Sequence, residues 1–284
     1  MVAAEQDEDM AMQVNRVRHV LAVASGKGGV GKSLVSAMAA VELAREGLRV
    51  GVLDADITGP SIPRLFGVTA RPESSMAGIV PPQTPLGIKI ISMNLFLDDA
   101  GQAVIWRGPL LTSAIKQFWT DVSWGDLDMI IVDLPPGTAD VPLTVFQSLP
   151  IDGILMVTTP QELAGMIVEK AAGLAQQMHK KVLGVVENMA LAQCPHCGEQ
   201  FELFGPSHAQ ELAQHIGAPL LARLPIDSTV TQQADMGHVE DVHMPAFAPV
   251  VEALKAYVAE ESADASPSTP CPACSGESKD YRSL

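Results

Sequence analysis

Short apolar runs alternate along the chain with segments of helix-forming composition. The apolar runs have the length of strands that are buried on both faces, and they lie at 20–23, 48–53, 88–97, 129–132, 153–158, 182–186 and 220–224. The helix-forming segments lie at 33–45, 107–119, 161–179, 207–216 and around 250–258. Residues 57–87 are rich in Pro and Gly and indicate a long ordered loop with a helical turn. Because buried strands that alternate with helices are typical of parallel sheets, the pattern predicts an α/β fold with a doubly wound, mostly parallel sheet and helices on both faces.

The first apolar run leads directly into a glycine-rich loop. Residues 26–33 read Gly-Lys-Gly-Gly-Val-Gly-Lys-Ser, which is the P-loop pattern of Gly, four residues and Gly-Lys-Ser between a strand and a helix. In such a loop the glycines let backbone N–H groups turn toward phosphate oxygens. Lys32 supplies positive charge to the β- and γ-phosphates, and Ser33 supplies a hydroxyl to Mg²⁺. The sequence therefore predicts a P-loop NTPase that binds ATP through Gly26, Lys27, Gly28, Gly29, Val30, Gly31, Lys32 and Ser33.

Acidic residues stand at the ends of two other predicted strands. Asp54 and Asp56 follow one of them, and Asp133 follows the other, ahead of a Leu-Pro-Pro turn that ends in Gly137. Ligands of doubly wound sheets bind beyond the carboxyl ends of the strands, so we expect these carboxylates to share one edge with the P-loop. An aspartate in this place can hold Mg²⁺ through water, and Gly137 can present its N–H to the γ-phosphate. We therefore predict that Asp133 and Gly137 belong to the nucleotide site.

Charge and composition narrow the possible partners. The 284 residues include 18 Lys and Arg against 33 Asp and Glu, a net charge of −15, which argues against a broad nucleic-acid surface and against docking on anionic lipid. No apolar run reaches the roughly 18–20 residues of a membrane-spanning helix, and the acidic opening lacks the features of a signal peptide. We expect a cytoplasmic protein without nucleic-acid or membrane partners. Its predicted regions are a flexible acidic arm at 1–18, the P-loop ATPase domain at 19–260 and a disordered tail at 261–284.

The four cysteines form two CxxC pairs, Cys194 with Cys197 and Cys271 with Cys274. In a reducing compartment such pairs indicate metal or redox chemistry more often than structural disulfides. A tetrahedral zinc ion or a [4Fe-4S] cluster needs four thiolates, and one CxxC pair supplies two. The second pair could supply the other two, but it lies in the predicted tail. A two-fold axis offers another solution, because it can place Cys194 and Cys197 of two subunits face to face. We favour a cluster that two subunits share.

The cysteines also allow other interpretations. The first pair could be a thioredoxin-like redox motif or a structural zinc site. For Cys271 and Cys274 the sequence leaves open a metal site of the tail, a redox helper and auxiliary ligands of the cluster.

A second lysine of the P-loop, Lys27, comes directly after the first glycine. This deviant P-loop is similar to that of a group of ATPases that includes the nitrogenase iron protein, the MinD and ParA partition ATPases and the Mrp (ApbC-like) iron–sulfur carriers. In those relatives the early lysine reaches across a dimer interface to the partner's nucleotide. Over roughly 19–240 the chain resembles the Mrp (ApbC-like) carriers in particular, with matching segments in order at 54–61, 107–109, 124–128, 133–138, 157–161, 187–189 and 194–198.

The resemblance implies a homodimeric ATPase that holds a [4Fe-4S] cluster between its subunits and passes it to apo-proteins, with cluster scaffold proteins as further partners. It implies that Lys27 acts in trans and that Asp56 orients the attacking water, with Asp54 beside it. Asn188 is expected to read the adenine edge. By position, the catalytic residues are Lys27, Lys32, Asp54 and Asp56, the further nucleotide-binding residues are Asn188 and Pro225, and the cluster ligands are Cys194 and Cys197.

The chain differs from the family pattern at two places near the predicted sites, and two other functions stay open. Ala139 stands where a glycine is usual, and the glycine-rich run expected after Gly205 is reduced to 206–208, so the hydrolysis rate is open. Whether ATP loads or releases the cluster is open as well. The rivals are a positioning ATPase of the MinD/ParA kind and a zinc-stabilised scaffold that uses nucleotide as a switch.

Overall fold

A β-sheet of eight strands runs through the part of the chain that the computed structural model describes, which is residues 15–57, 59–76, 78–97, 108–137, 145–161, 173, 180–194 and 196–264. The described strands are β1 (Arg16–Ser25), β2 (Val50–Asp54), β3 (Glu73–Ser75), β4 (Gly78–Val80), β5 (Lys89–Ile91), β6 (Asp126–Asp133), β7 (Gly153–Thr158), β8 (Lys181–Gln193), β9 (Gln200–Phe201) and β10 (Leu220–Pro225). The sheet order is β10-β8-β7-β1-β6-β2-β5, with β9 paired to β8, and β3 and β4 form a separate hairpin. All neighbours along this path are parallel, and β9 is antiparallel to β8.

Helices cover both faces of the sheet. The described α-helices are α1 (Lys32–Arg45), α2 (Ile62–Leu65), α3 (Gly108–Thr120), α4 (Ala209–His215), α5 (Ser228–Asp235) and α6 (Ala248–Asp264), and short 3₁₀ turns lie at Met93–Phe96, Val239–Asp241 and Pro245–Phe247. α1 ends as the sequence predicts, because Gly47 has a φ of 86° and the Leu48 N–H donates to the Leu43 carbonyl at 3.1 Å. The left-handed glycine thus satisfies carbonyls at the helix end.

The sheet separates two hydrophobic cores. Leu21 and Val23 of β1 point into the core that α1 and α6 cover, whereas Val20 and Ala22 point into the core under α3 and α4. This alternation follows from the two-residue period of a strand, and it explains why a strand buried on both faces reads as a continuous apolar run. The predicted architecture, an α/β fold with a doubly wound, mostly parallel sheet and helices on both faces, is confirmed.

The segment 57–87 is more structured than the sequence indicates. It contains the expected helical turn, α2, and also the hairpin of β3 and β4. β3 consists of three exposed polar residues and β4 reads Gly-Ile-Val, so neither strand shows an alternation that predicts it. Backbone bonds fix the hairpin to the end of α3: the Ile79 N–H donates to the Asp121 carbonyl at 2.7 Å, and the Ser123 N–H donates to the Ile79 carbonyl at 2.8 Å.

Two strands differ in length from the prediction. The run 88–97 was expected to be one strand, but β5 stops at Ile91 and a 3₁₀ turn follows, where the Leu95 N–H returns to the Ser92 carbonyl at 3.1 Å. The strand expected at 182–186 extends to Gln193, because β10 pairs with it as far as Leu191 and β9 pairs with its last residues. The motif 187–189 therefore lies inside β8.

Several sequence-based predictions concern residues outside the described part of the chain. These are most of the arm at 1–18, Arg107, Ala139, all of the helix at 161–179 except Gln161 and Gly173, and the tail from 265 with Cys271 and Cys274. α6 continues past residue 260, and the domain boundaries stay predictions. Among the described helices, none is long and apolar enough to cross a membrane.

Candidate functional site

The P-loop surrounds a cavity of about 250 Å³ between the end of β1 and the start of α1. Its described lining includes the loop residues from Lys27 to Ser33 together with Asp56, Ser61 and Pro136. Gly31 has a φ of 81°, and a Cβ atom at this position would overlap the Asn188 amide. A side chain there would be strained and would also collide with β8, so this position requires glycine for two reasons.

The Asp133 carboxylate contacts three side chains near the start of α1. The Lys32 ammonium lies 2.7 Å from Asp133 Oδ1, Ser33 Oγ donates to Asp133 Oδ2 at 2.6 Å, and Ser36 Oγ donates to Oδ1 at 2.7 Å. Asp133 is fully buried. The pairing of Ser33 and Asp133 presents hard oxygen atoms beside the phosphate loop, which is the donor set that Mg²⁺ prefers. The structure thus brings together the predicted residues Lys32, Ser33 and Asp133.

Ser36 was not singled out from the sequence. It lies four residues after Lys32, and this helical spacing places both side chains on the same face of α1. That spacing was the only signal in the sequence that could have found it.

Asp54 and Asp56 occupy different places. Asp54 is fully buried and accepts hydrogen bonds from Ser92 Oγ at 3.0 Å and from the backbone N–H groups of Asp56 and Ile62 at 3.2 and 3.3 Å. Burial, and then the neighbouring Asp133 carboxylate, raise the pKa of Asp54 well above its usual range. Asp56 lines the cavity. Through its bond to the Asp56 N–H, the buried Asp54 carboxylate therefore holds the loop that carries Asp56.

Lys27 and Gly137 make contacts within the chain. The Lys27 ammonium donates to the side chain of Gln161, which follows β7. Gly137, with a φ of 94°, donates its N–H to the Ser25 carbonyl at 3.0 Å. To meet a phosphate or a second subunit, each group has to exchange the partner it has in this structure.

Asn188 and Pro225 lie on the neighbouring strands β8 and β10. Asn188 is buried, and its amide donates to the Val30 carbonyl at 2.9 Å. Pro225 ends β10 opposite Leu191 of β8. Among the described residues around the cavity, neither is part of the lining. The side chain of Asn188 thus contacts the backbone of the P-loop.

The first cysteine pair lies at the end of β8. The Cys194 N–H donates to the Glu199 carbonyl at 2.8 Å, and the Gly198 N–H returns to the Cys194 carbonyl at 2.9 Å, with a φ of 75° at Gly198. The Cys194 sulfur accepts backbone N–H groups from Cys197 and then His196, and these bonds lower the pKa of Cys194. Both cysteines are free thiols, Cys194 half-buried and Cys197 exposed. This tight turn favours the thiolate form that metals bind.

The described residues of one chain supply too few ligands for a metal at the first cysteine pair. Within the described residues, no group of three or more His, Cys, Asp or Glu side chains could hold a metal ion. A four-thiolate site at Cys194 and Cys197 consequently needs ligands from elsewhere.

The family described as ParA, NUBPL iron-transfer P-loop NTPase, matches residues 16–259. The iron-sulfur cluster carrier protein of Clostridium perfringens is 44% identical over 233 residues, which are 79% of this chain and 82% of that protein.

Solved structures agree. A nucleotide-binding protein of Archaeoglobus fulgidus in complex with ADP is 44% identical and superposes with a TM-score of 0.76 over 85% of this chain and 95% of that one. The cell division ATPase MinD of Pyrococcus furiosus has a TM-score of 0.62 over 84% of this chain and 99% of its own, at 21% identity. At that identity the likeness concerns the fold alone.

Proposed function

The chain belongs to the ParA/NUBPL family of iron-transfer P-loop NTPases, and on this premise we propose that it is an ATP-hydrolysing carrier of iron–sulfur clusters. The observation that carries the proposal is the turn around Cys194 and Cys197, which offers two accessible thiols, one of them with a lowered pKa, at the end of β8. The same strand contacts the P-loop through Asn188. Cluster ligands and nucleotide site therefore share one structural element.

At the nucleotide, the residues of this chain have distinct tasks. Ser33 and Asp133 would hold Mg²⁺, which supplies charge neutralisation across the β- and γ-phosphates when it is bound with ATP. Lys32 would exchange its ion pair with Asp133 for phosphate oxygens. Asp56, at the cavity wall, would orient the attacking water. The ADP complex of the Archaeoglobus relative supports nucleotide binding at this site.

A second copy of the chain would complete both sites. Lys27 would leave Gln161 and reach the phosphates bound to the other subunit, where a cation supplied in trans can contribute about 10³–10⁵ in rate. Cys194 and Cys197 of two chains would provide the four thiolates that a [4Fe-4S] cluster needs. The cluster is cargo, passed from scaffold proteins to apo-proteins. A cytoplasmic location belongs to the same proposal, since a reducing compartment keeps these thiols free for metal.

Anaerobic reconstitution with ferrous iron and sulfide tests the carrier function. We expect a brown protein with a broad absorption band near ~400 nm and about four irons per two chains. Cys194→Ser should abolish iron uptake, whereas the matched variant Cys271→Ser should keep it. The loaded protein should then restore the spectrum of an apo-ferredoxin. Stoichiometric zinc binding without iron uptake would instead favour the zinc-stabilised scaffold.

A further inference from the structure

Glu187 is a fully buried carboxylate in the middle of β8, next to Asn188. It accepts hydrogen bonds from Ser207 Oγ at 2.7 Å and from Arg223 Nε at 2.7 Å. The other end of the Arg223 guanidinium donates to Glu202 Oε1 at 2.8 Å. Burying a carboxylate is unfavourable unless it is paired and hydrogen-bonded, so Glu187 requires these partners.

These partners fix the segment that follows Cys194. We call residues 196–208 the cysteine segment; it carries Cys197, passes through β9 and ends before α4. Glu202 lies in its middle and Ser207 near its end, and both are tied to Glu187, one through Arg223 and one directly. Its large apolar residues are exposed: Phe201, Leu203 and Phe204. With so little apolar burial, the polar bonds to Glu187 carry much of its positioning.

The same stretch of β8 touches the P-loop from the other face of the sheet. Successive residues of a strand point to opposite faces, and Val185 and Val186 accordingly belong to different cores. Glu187 points to the cysteine segment, whereas the Asn188 amide bonds to the Val30 carbonyl at 2.9 Å. A shift of β8 at these two residues moves both contacts together.

β8 is also irregular at this point. Met189 has a φ of 57°, the one positive φ among the described residues other than glycine, and the register with β10 shifts between Arg223 and Pro225. Such a residue is held in place by its surroundings and marks a position where a strand can change direction.

We propose that Glu187 and Arg223 are positioning residues of the cysteine site, through which nucleotide in the P-loop changes the reactivity of the Cys194 and Cys197 thiols. Nucleotide that displaces the Val30 backbone shifts Asn188 and with it Glu187. Arg223 and Ser207 then carry the shift to the cysteine segment. By linkage, nucleotide and a metal at the cysteines then change each other's binding affinity by one common factor. The inference deepens the proposed function and rests on it only for the role of the thiols as metal ligands.

Thiol alkylation in the metal-free full-length protein tests this coupling. Cys271→Ser and Cys274→Ser remove the other thiols, and the rate of iodoacetamide labelling is measured with and without Mg-ADP. Couplings between sites are typically 5–150-fold, so we expect Mg-ADP to change the rate by about fivefold or more. With Arg223→Met the change should fall below about twofold while ADP affinity stays within about twofold, because Arg223 lies outside the described lining of the cavity.

Controls separate coupling from loss of structure. Lys255→Met removes the exposed ion pair between α6 and Glu46, the residue that follows α1, and should keep the full nucleotide effect. If Arg223→Met does not fold, Glu202→Gln replaces it, because this variant changes only the exposed ion pair of Arg223 with Glu202 and leaves Glu187 paired. It should at least halve the effect of Mg-ADP on the labelling rate. Unchanged coupling in the folded Arg223 variant or in Glu202→Gln overturns the proposal, as does the absence of any effect in the parent. Iron is not used, so failure of cluster uptake is a separate result.

Discussion

Asp54 and Asp133 lie directly opposite each other at the ends of β2 and β6, and both are fully buried, yet their partners differ. Asp133 meets the Lys32 ammonium and the hydroxyl of Ser33. Asp54 accepts hydrogen bonds from uncharged donors, Ser92 and two backbone N–H groups, and its pKa is raised, first by burial. Neighbouring carboxylates at one sheet edge thus have different surroundings: Asp133 contacts the start of α1, and Asp54 supports the loop of Asp56.

Lys27 gives the first prediction. Lys27→Ala should lower ATP turnover by about 10³ or more while nucleotide binding is kept, because in the proposed dimer the charge would act on a phosphate bound to the second subunit. Turnover by phosphate release and binding by calorimetry measure the two effects. Gln161→Ala removes only the contact within the chain and should leave turnover measurable. Unchanged turnover in Lys27→Ala would reject the trans mechanism.

A pH-dependent contribution to stability is expected at Asp128. Arg49 donates to Asp128 through its backbone N–H, Nε and a terminal nitrogen at 2.9–3.0 Å, and these bonds lower the pKa of Asp128. Since the folded pKa is depressed, the stabilisation is present above the unfolded pKa of about 3.9 and is lost as the pH falls through the folded value. Because Arg49 is half exposed, Asp128→Asn should lower the free energy of unfolding by only about 1 kcal/mol at pH 7.

Urea unfolding at pH 7 and at pH 3 measures this difference. The gap between Asp128→Asn and the parent should narrow at pH 3. The exposed Asp121→Asn serves as the matched control and should stay within about 0.5 kcal/mol of the parent at both pH values. A gap that widens in acid would contradict the assignment.

At the scale of elements, the two ends of α1 give a matched pair of glycines. Gly31 precedes the helix and Gly47 follows it, with φ values of 81° and 86°. A Cβ at Gly31 would overlap the Asn188 amide, whereas nothing lies within 4 Å of one at Gly47. Gly47→Ala should therefore lower stability by about 1 kcal/mol and leave ADP binding intact. Gly31→Ala should weaken ADP binding by more than about tenfold, because the residue forms the phosphate loop itself.

Calorimetric titration with Mg-ADP and thermal melts of both variants distinguish these outcomes. Equal losses of affinity in the two variants would mean that Gly31 acts only through the stability of α1.

Elements whose signal is local could be predicted from the sequence, and those that depend on distant partners could not. The P-loop and the cysteine turn are contiguous motifs, and α1 carries its own cap at Gly47. By contrast, Ser92 meets Asp54 from 38 positions away, and Arg223 meets Glu187 from 36 positions away. No pattern within a short stretch of sequence predicts pairs so far apart. β8 was expected to be shorter for the same reason, since β10 and β9 extend it.

At the scale of the whole molecule, a second copy of the chain would complete both the proposed cluster site and the proposed nucleotide site. Cys194 and Cys197 are two of the four thiolates that a cluster needs, and Lys27 is proposed to act on the nucleotide of a second subunit. A two-fold axis would supply the missing groups to both sites at once, because an isologous interface repeats every contact. The proposed carrier would thus be complete as a pair of chains.

Net charge gives the last prediction, since each chain carries −15. Bringing two such chains together is opposed by their mutual repulsion, and salt screens it: the Debye length falls from about 14 Å at 0.05 M to about 6 Å at 0.3 M. We therefore expect the dissociation constant of the cluster-loaded dimer to fall, on the order of threefold, over this range. Sedimentation velocity under anaerobic conditions measures it, with Cys197→Ser as the variant that should stay monomeric throughout. A dissociation constant that rises with salt would show instead that opposite charges face each other across the interface and dominate the net repulsion.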